Sequence, residues 1–546
     1  MKFVFALLIG FLHNALSTAS PSETENPGLE NAPTPPAQVK TITQYGITWT
    51  FEKEVPAGQF VTGDWWVVGP VTVISVSPTP GPAPADEPAT EAKSIYGATS
   101  LGNDKRLRNG SMLFSADTEI PMDFSKQGYD SRLANFDPAL STKFPSSLAP
   151  GQSLISSISS ENYNKKGSLA TPYVPAIQTP DLTKGLAAGK EIPLALDSAA
   201  VLTCLDQAPP ADAFRPAYIG KTKTIYRTKD IRWDLLPNLK PVAATPDWNA
   251  MARVFERPWL DHISSWLIQA TGPGQNQPSY GGIFTNLTST AGLMLLLDVP
   301  QKQKQKLMIS YLQLGIDLHG LAECGRQWFS DGGHWMGRKW PIIFASAMLD
   351  QPALRTFPPV DLQALRGHSK LEILPSPTGD PAPTTIFQED LDTYYGKGAD
   401  GQNVLWQIVF HTHTRQAYLE KPFFEWNEDD KFTNKYYWVT CNWNAFALAA
   451  LYMKMKSAWN HDAFFDYCDW YMAPGQTRLD TNGKPVPTRD TTAIFMQQMW
   501  DAYRSTAPEQ PGGTDNLKWT WVDGKLDEAT RKFHASKGQW VPNPKP

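Results

Sequence analysis

The chain has 546 residues, 41% of them hydrophobic and 19% charged, with a formal net charge of -5. Such a composition fits a globular protein of two to four domains and excludes a general nucleic-acid binder, which needs a cationic surface against phosphate. No apolar run is long enough to cross a bilayer, so a membrane span is excluded too.

The first twenty residues, MKFVFALLIGFLHNALSTAS, read as a secretory signal. Lys2 supplies the positive start, residues 3–12 the apolar core, and residues 15–19 the small side chains that cleavage needs. This predicts an exported protein, secreted or periplasmic, with a signal over residues 1–19. Residues 20–44 are polar and proline-rich and read as a linker. Residues 45–78 alternate apolar and polar side chains around Gly63-Asp64 and Gly69-Pro70, the pattern of a small antiparallel β unit. Strand candidates continue at 111–114, 153–158, 190–196 and 199–205, and helical periodicity is weak. Residues 45–240 are therefore expected to form a β-rich, sandwich-like domain.

The hydrophobic period changes near Trp248. Apolar residues at Met251, Val254, Phe255, Leu260, Ile263, Trp266 and Leu267 lie close to helical spacing, broken at Pro258. Helices are expected at 284–297, 301–323, 341–349, 404–418, 441–459, 461–471 and 491–503. Residues 351–401 read as a long polar insertion. Residues 241–504 are assigned to an (α/α) toroid or helical barrel, and residues 505–546 to a polar tail with an apolar patch at 519–522. The fold class is thus α+β and multidomain. Cys204, Cys324, Cys441 and Cys468 form no CxxC pair, which argues against a thiol metal site. A Cys441–Cys468 bridge and buried free thiols both remain open.

The residues of greatest chemical interest lie in WFSDGGHWMGRKWPIIFASAML, 328–349. Glycines bring the backbone to His334, and Arg338-Lys339 stand where an apolar helix begins. A glycine-bent loop on a helix entrance, with two cations, suits an anionic ligand. His334 reads as a general base or as a histidine bonded to its turn. Arg338 reads as a two-pronged clamp on a carboxylate or as an ordinary ion pair. Lys339 and Trp335 complete the substrate-binding candidates in this loop. The loop QNQPSY adds Asn276, to polarise a carboxylate, and Tyr280, as acid or base; turn chemistry is the alternative. KYYWVTCNWN adds Tyr437 as a third catalytic candidate and Asn442 as a substrate ligand or a helix cap. His262 reads as a helix histidine hydrogen-bonded in the core.

His411 and His413 would share a face only if extended, with no recognisable third ligand, so neither metal nor cofactor is expected. Asp331 and Glu425 are the carboxylates that a hydrolytic reading would use. The 20 tryptophans could serve as sugar platforms or as ordinary core.

The order GITWTFEKEVPAGQFVTGDWWVVGPV, FRPAY, RVFERPWLDH, GGHWMGRKWPIIFA, WNHDAFFDYCDWYM resembles a group of exported bacterial proteins of unassigned function, over most of residues 45–472. The helical half is similar in outline to the (α/α) toroids of polysaccharide lyases, through its helix pairs, aromatic loops and His/Arg/Tyr/Asn set. Toroid lyases often carry a β-sandwich after the toroid, whereas here the β-rich part comes first. The resemblance implies β-elimination on a uronate-containing polysaccharide: a base takes the proton α to a carboxylate, and cations or amides stabilise the charge that builds there. The expected partner is an acidic polysaccharide or oligosaccharide. A glycoside hydrolase on the same fold and a non-catalytic glycan-binding or cell-surface protein are the alternatives.

Overall fold

The computed structural model describes residues 36–81, 107–120, 126–133, 135–161, 194–263, 271–278, 281–328, 334–357, 385, 387–397, 403–407, 416–417, 442–475, 477–479, 485–512, 519–527 and 532–542. The signal segment and the candidates Tyr280, Asp331, His411, His413, Glu425, Tyr437 and Cys441 lie outside them.

The N-terminal region is sheet-rich and the C-terminal part helical. Eight strands make one curled half-barrel sheet: β1 (Ala37–Gln44), β2 (Ile47–Gln59), β3 (Trp65–Val68), β4 (Val71–Ser77), β5 (Ser111–Phe114), β6 (Ser146–Leu148), β7 (Ser153–Ser159) and β8 (Leu196–Leu205). The order is β5-β7-β8-β3-β2-β4-β6, with β1 paired to β2. All pairs but one are antiparallel; β3 runs parallel to β8. β1 begins inside the stretch read as a linker, because Val39 and Ile42 pair across to β2 and Ile42 reaches the core.

β8 explains why AAVLTCL reads as an unbroken apolar run. Ala199 and Val201 face the core shared with the helices, while Ala200, Leu202 and Cys204 face the interior of the curled sheet with Trp49, Phe51 and Val73. A strand covered on both faces has no polar side to show. The helix-facing core runs continuously from Met112 through the helices to Trp500, so sheet and helices pack as one hydrophobic interior.

The principal helices are α1 (Trp248–Phe255), α2 (Gly281–Met294), α3 (Gln301–Glu323), α4 (Lys339–Met348), α5 (Gln388–Asp392), α6 (Trp443–Tyr452), α7 (Lys456–Trp459), α8 (Asp462–Met472) and α9 (Ile494–Tyr503). Asp247 caps α1, its side chain accepting from Ala250 N at 2.7 Å. α3 opens on the exposed run QKQ and is buried almost all round from Leu307 to Ala322, as befits a central helix. α3 and α4 meet at Gly315, where an added Cβ would lie 2.3 Å from Pro341 O and 2.7 Å from Ala345 Cβ. Gly315→Ala should therefore cost about 1–3 kcal/mol by overpacking, read from urea unfolding. Wild-type stability would mean that the two helices can part without loss.

Three expectations need correction. Across the expected helix 404–418 run the strands β10 (Asn403–Gln407) and β11 (Gln416–Ala417), paired with each other and, through β10, with β9 (Thr393–Lys397). Apolar spacing in a short Val/Leu/Trp segment does not separate helix from strand. The helix expected over 441–459 is two, broken at Met453–Met455, where Lys454 takes φ +58°. The tail contains a hairpin, β14 (Trp519–Asp527) with β15 (Lys532–Pro542), besides the short pair β12 (Thr477–Leu479) and β13 (Pro485–Pro487) before it. Cys204, Cys324 and Cys468 are buried free thiols.

Candidate functional site

The loop leading into α4 is held from three sides. Gly337 has φ +89°, and a Cβ there would lie 2.8 Å from Thr288 Oγ1 and 3.0 Å from the Thr285 backbone on α2. Only glycine combines that left-handed backbone with so close an approach. From the second side, Gln388 Oε1 accepts from Trp335 N at 3.0 Å and Glu389 Oε1 from Gly337 N at 2.5 Å. The third hold is Arg338 itself.

Arg338 is completely buried. Its Nε and Nη2 donate to Asp261 Oδ2 at 3.2 Å and Oδ1 at 2.8 Å, and Nη1 donates to Met336 O at 2.6 Å and His334 O at 3.2 Å. The guanidinium lies 4.1 Å over the Phe284 ring. The fork offered by the sequence as a carboxylate clamp therefore closes on a carboxylate of the chain itself, and Trp328 Nε1 donates to the same Asp261 at 3.0 Å. The ion-pair alternative describes Arg338. His334, half-buried, sits where this bonding network reaches the loop, its carbonyl fixed by Arg338.

Lys339 turns away from Arg338, as neighbouring residues on a helix do. Its ammonium pairs closely with Asp390, donates to Trp459 O at 2.6 Å and lies 4.9 Å over the Trp459 ring. Burial holds its pKa below the ordinary lysine range, against the pull of Asp390. Asp390 also accepts from Trp459 Nε1 at 3.0 Å. Beside it, Glu389 is fully buried and its carboxyl is pushed up to about 7, chiefly by burial and further by the Asp390 charge, although Gly337 N–H favours the ionised form. Glu389 Oε2 has no hydrogen-bond partner among the described residues. His461 bonds the Thr393 carbonyl and is held below its usual pKa, first by burial.

The remaining candidates serve the backbone. Asn276 donates to Val254 O and Arg257 O at 3.3 and 3.1 Å, which closes the chain after α1. Asn442 makes no side-chain bond to its own helix; it pairs with Asn286 of α2 and accepts from Ala493 N at 3.1 Å before α9. Trp335 is buried and its indole N–H has no partner among the described residues. Trp328, Trp340, Trp443 and Trp459 are fully buried as well, so these tryptophans are core rather than sugar platforms. His262 is a core histidine, although on a turn rather than a helix: Nε2 meets Tyr129 Oη and Nδ1 meets Tyr218 Oη, both at 3.3 Å, and burial pushes its pKa down to about 3.

The structure thus has His334, Trp335 and Arg338 on one loop with Lys339 opening α4, and brings Asn442 to the adjoining helix α2. Asn276 instead serves the end of α1. Sequence reading missed Asp261, Gln388, Glu389, Asp390 and His461. Asp261 stood beside the singled-out His262, and Glu389-Asp390 lay in a stretch read as polar insertion. An opening of about 680 Å³, mainly apolar, lies beside the sheet among Ile74, Pro80, Phe136, Pro138 and Phe144; none of the predicted site residues lines it. Among the described residues no group of three or more His, Cys, Asp or Glu side chains could hold a metal ion, and no helix is long and apolar enough to cross a membrane. No family model, curated protein or solved structure matches the chain.

Proposed function

We propose that the chain is an exported carbohydrate-active enzyme, a polysaccharide lyase that cleaves a uronate-containing polysaccharide by β-elimination at the entrance of α4, on a toroid-like helical part. The observation that carries this reading is the half-buried His334 on a loop pinned by Arg338, Gln388 and Glu389. A base that must take a proton from carbon works best when its position is fixed before substrate arrives. In this scheme His334 is the base and Tyr280 or Tyr437 the acid to the leaving oxygen.

The geometry changes the part assigned to the two cations. Arg338 and Lys339 neutralise Asp261 and Asp390. Their role in the scheme is to position the loop that carries His334.

The test is a screen of the exported chain against acidic polysaccharides, following ultraviolet absorbance and reducing ends together. Both should rise with one substrate, because β-elimination leaves an unsaturated sugar. Reducing ends without absorbance would overturn the lyase in favour of the hydrolase. Retention on a polysaccharide with neither signal would leave a glycan-binding protein.

A further inference from the structure

A second built environment lies where the curled sheet meets α3. Asp64 precedes β3, Arg215 follows β8, and Asp317 lies on α3. Arg215 Nε donates to Asp64 Oδ2 at 2.7 Å, while Nη1 and Nη2 donate to Asp317 Oδ1 and Oδ2 at 2.9 and 2.6 Å. All three side chains are buried. They border a small chamber of about 10 Å³ that Thr62, Ser310 and Gln313 also line.

Two side-chain atoms of this lining have no hydrogen-bond partner among the described residues: Asp64 Oδ1 and Gln313 Oε1. The Gln313 amide is oriented by its own bonds, since Nε2 donates to Arg215 O at 3.0 Å and faces Asp317 Oδ1 at 3.4 Å. Its oxygen is thus the end left over. Both atoms are acceptors, and one belongs to a carboxylate that burial strains, its pKa held above the ordinary range despite Arg215. Buried acceptors of this kind are seldom left unbonded. The chamber has room for about one water-sized body and no more.

Chemistry narrows the occupant. Glu256 and Arg257 line the chamber as well, so three carboxylates stand around two guanidiniums, a net negative charge that would attract a cation. A bare sodium-sized ion, however, wants about six oxygens. Asp64 Oδ2 and both Asp317 oxygens are held by Arg215, the Thr62 hydroxyl by Asp64 and Glu256 by Lys306, so the two remaining oxygens and the Ser310 hydroxyl supply about half that, in a space with no room for water to complete the shell. A water molecule has two hydrogens for the two acceptors and lone pairs for the hydroxyl.

We propose that this chamber is a binding site for one structural water, which donates to Asp64 Oδ1 of the sheet and to Gln313 Oε1 of α3. It completes the polar seam between sheet and helices that Arg215 begins. The site is independent of the proposed catalytic loop.

A crystal structure of the exported chain, at a resolution that places ordered waters, tests this. The expected result is a single peak about 2.7–3.0 Å from both oxygens, unchanged when sodium in the crystal is exchanged for rubidium. Gln313→Leu in the same crystals should lose the peak while the Arg215–Asp317 pair stays in place. A wild-type chamber without density would overturn the proposal. So would an anomalous rubidium signal, which would make the site a cation site, or a peak that persists in Gln313→Leu.

Discussion

Asp261→Ala should lower folding stability by about 3–5 kcal/mol, more than any other single change considered for this chain. The reason is the partner left behind. Arg338 is completely buried and two of its nitrogens face the two Asp261 oxygens. Without them the guanidinium keeps the bonds to Met336 O and His334 O but has no countercharge. Arginine cannot shed its proton to escape. Trp328 Nε1 loses its acceptor in the same stroke. Arg338→Lys should fail for a different reason, because an ammonium keeps the charge and gives up the fork. The double change Asp261→Leu with Arg338→Met should recover much of the loss, since an apolar pair of similar volume avoids the desolvation that the ion pair suffers. Urea unfolding of wild type, these three variants and the single Arg338→Met checks this. If Arg338→Met unfolds within about 1 kcal/mol of wild type, the pair is not a structural fixture, and a role for Arg338 in binding returns.

How legible this was can be judged from the same loop. The glycine-bent approach to a core helix was readable from Gly337 and the apolar run after Trp340, because φ preference and hydrophobic period are local properties. The partner of Arg338 was not. Asp261 is 77 residues away in sequence, and nothing local says whether a cation faces solvent, ligand or carboxylate. The same holds for Glu389 and Asp390, whose acidic surroundings read as exposed until long-range packing buried them. In the sheet, β8 could be recognised as a buried strand from composition. Its parallel pairing with β3 could not, since that depends on which edge the intervening chain returns to. The strand at Asn403–Gln407 shows the converse failure, where local apolar spacing suited two structures and partner β9 decided.

Glu389→Gln should make stability less sensitive to pH in one direction only. The folded Glu389 titrates at about 7 against an ordinary 4.5, chiefly because burial penalises its charge. Between those values the folded chain holds a proton that the unfolded chain has released, so stability falls as pH rises. The loss is complete once the folded group ionises, and it amounts to about 3 kcal/mol. Glutamine carries no charge at any pH and still offers an oxygen to Gly337 N–H. The histidines act in the opposite sense: His262 and His461 are held neutral by burial, so protonating the unfolded chain costs stability as pH falls. Total stability against pH therefore mixes both, and the difference between variant and wild type isolates Glu389. That difference, in favour of Glu389→Gln, should widen by about 2–3 kcal/mol from about pH 5 to about pH 8 in urea unfolding. A difference that stays level across this range would mean that Glu389 ionises in the folded chain as it does in water, and that the contact holding the loop at Gly337 does not depend on its proton.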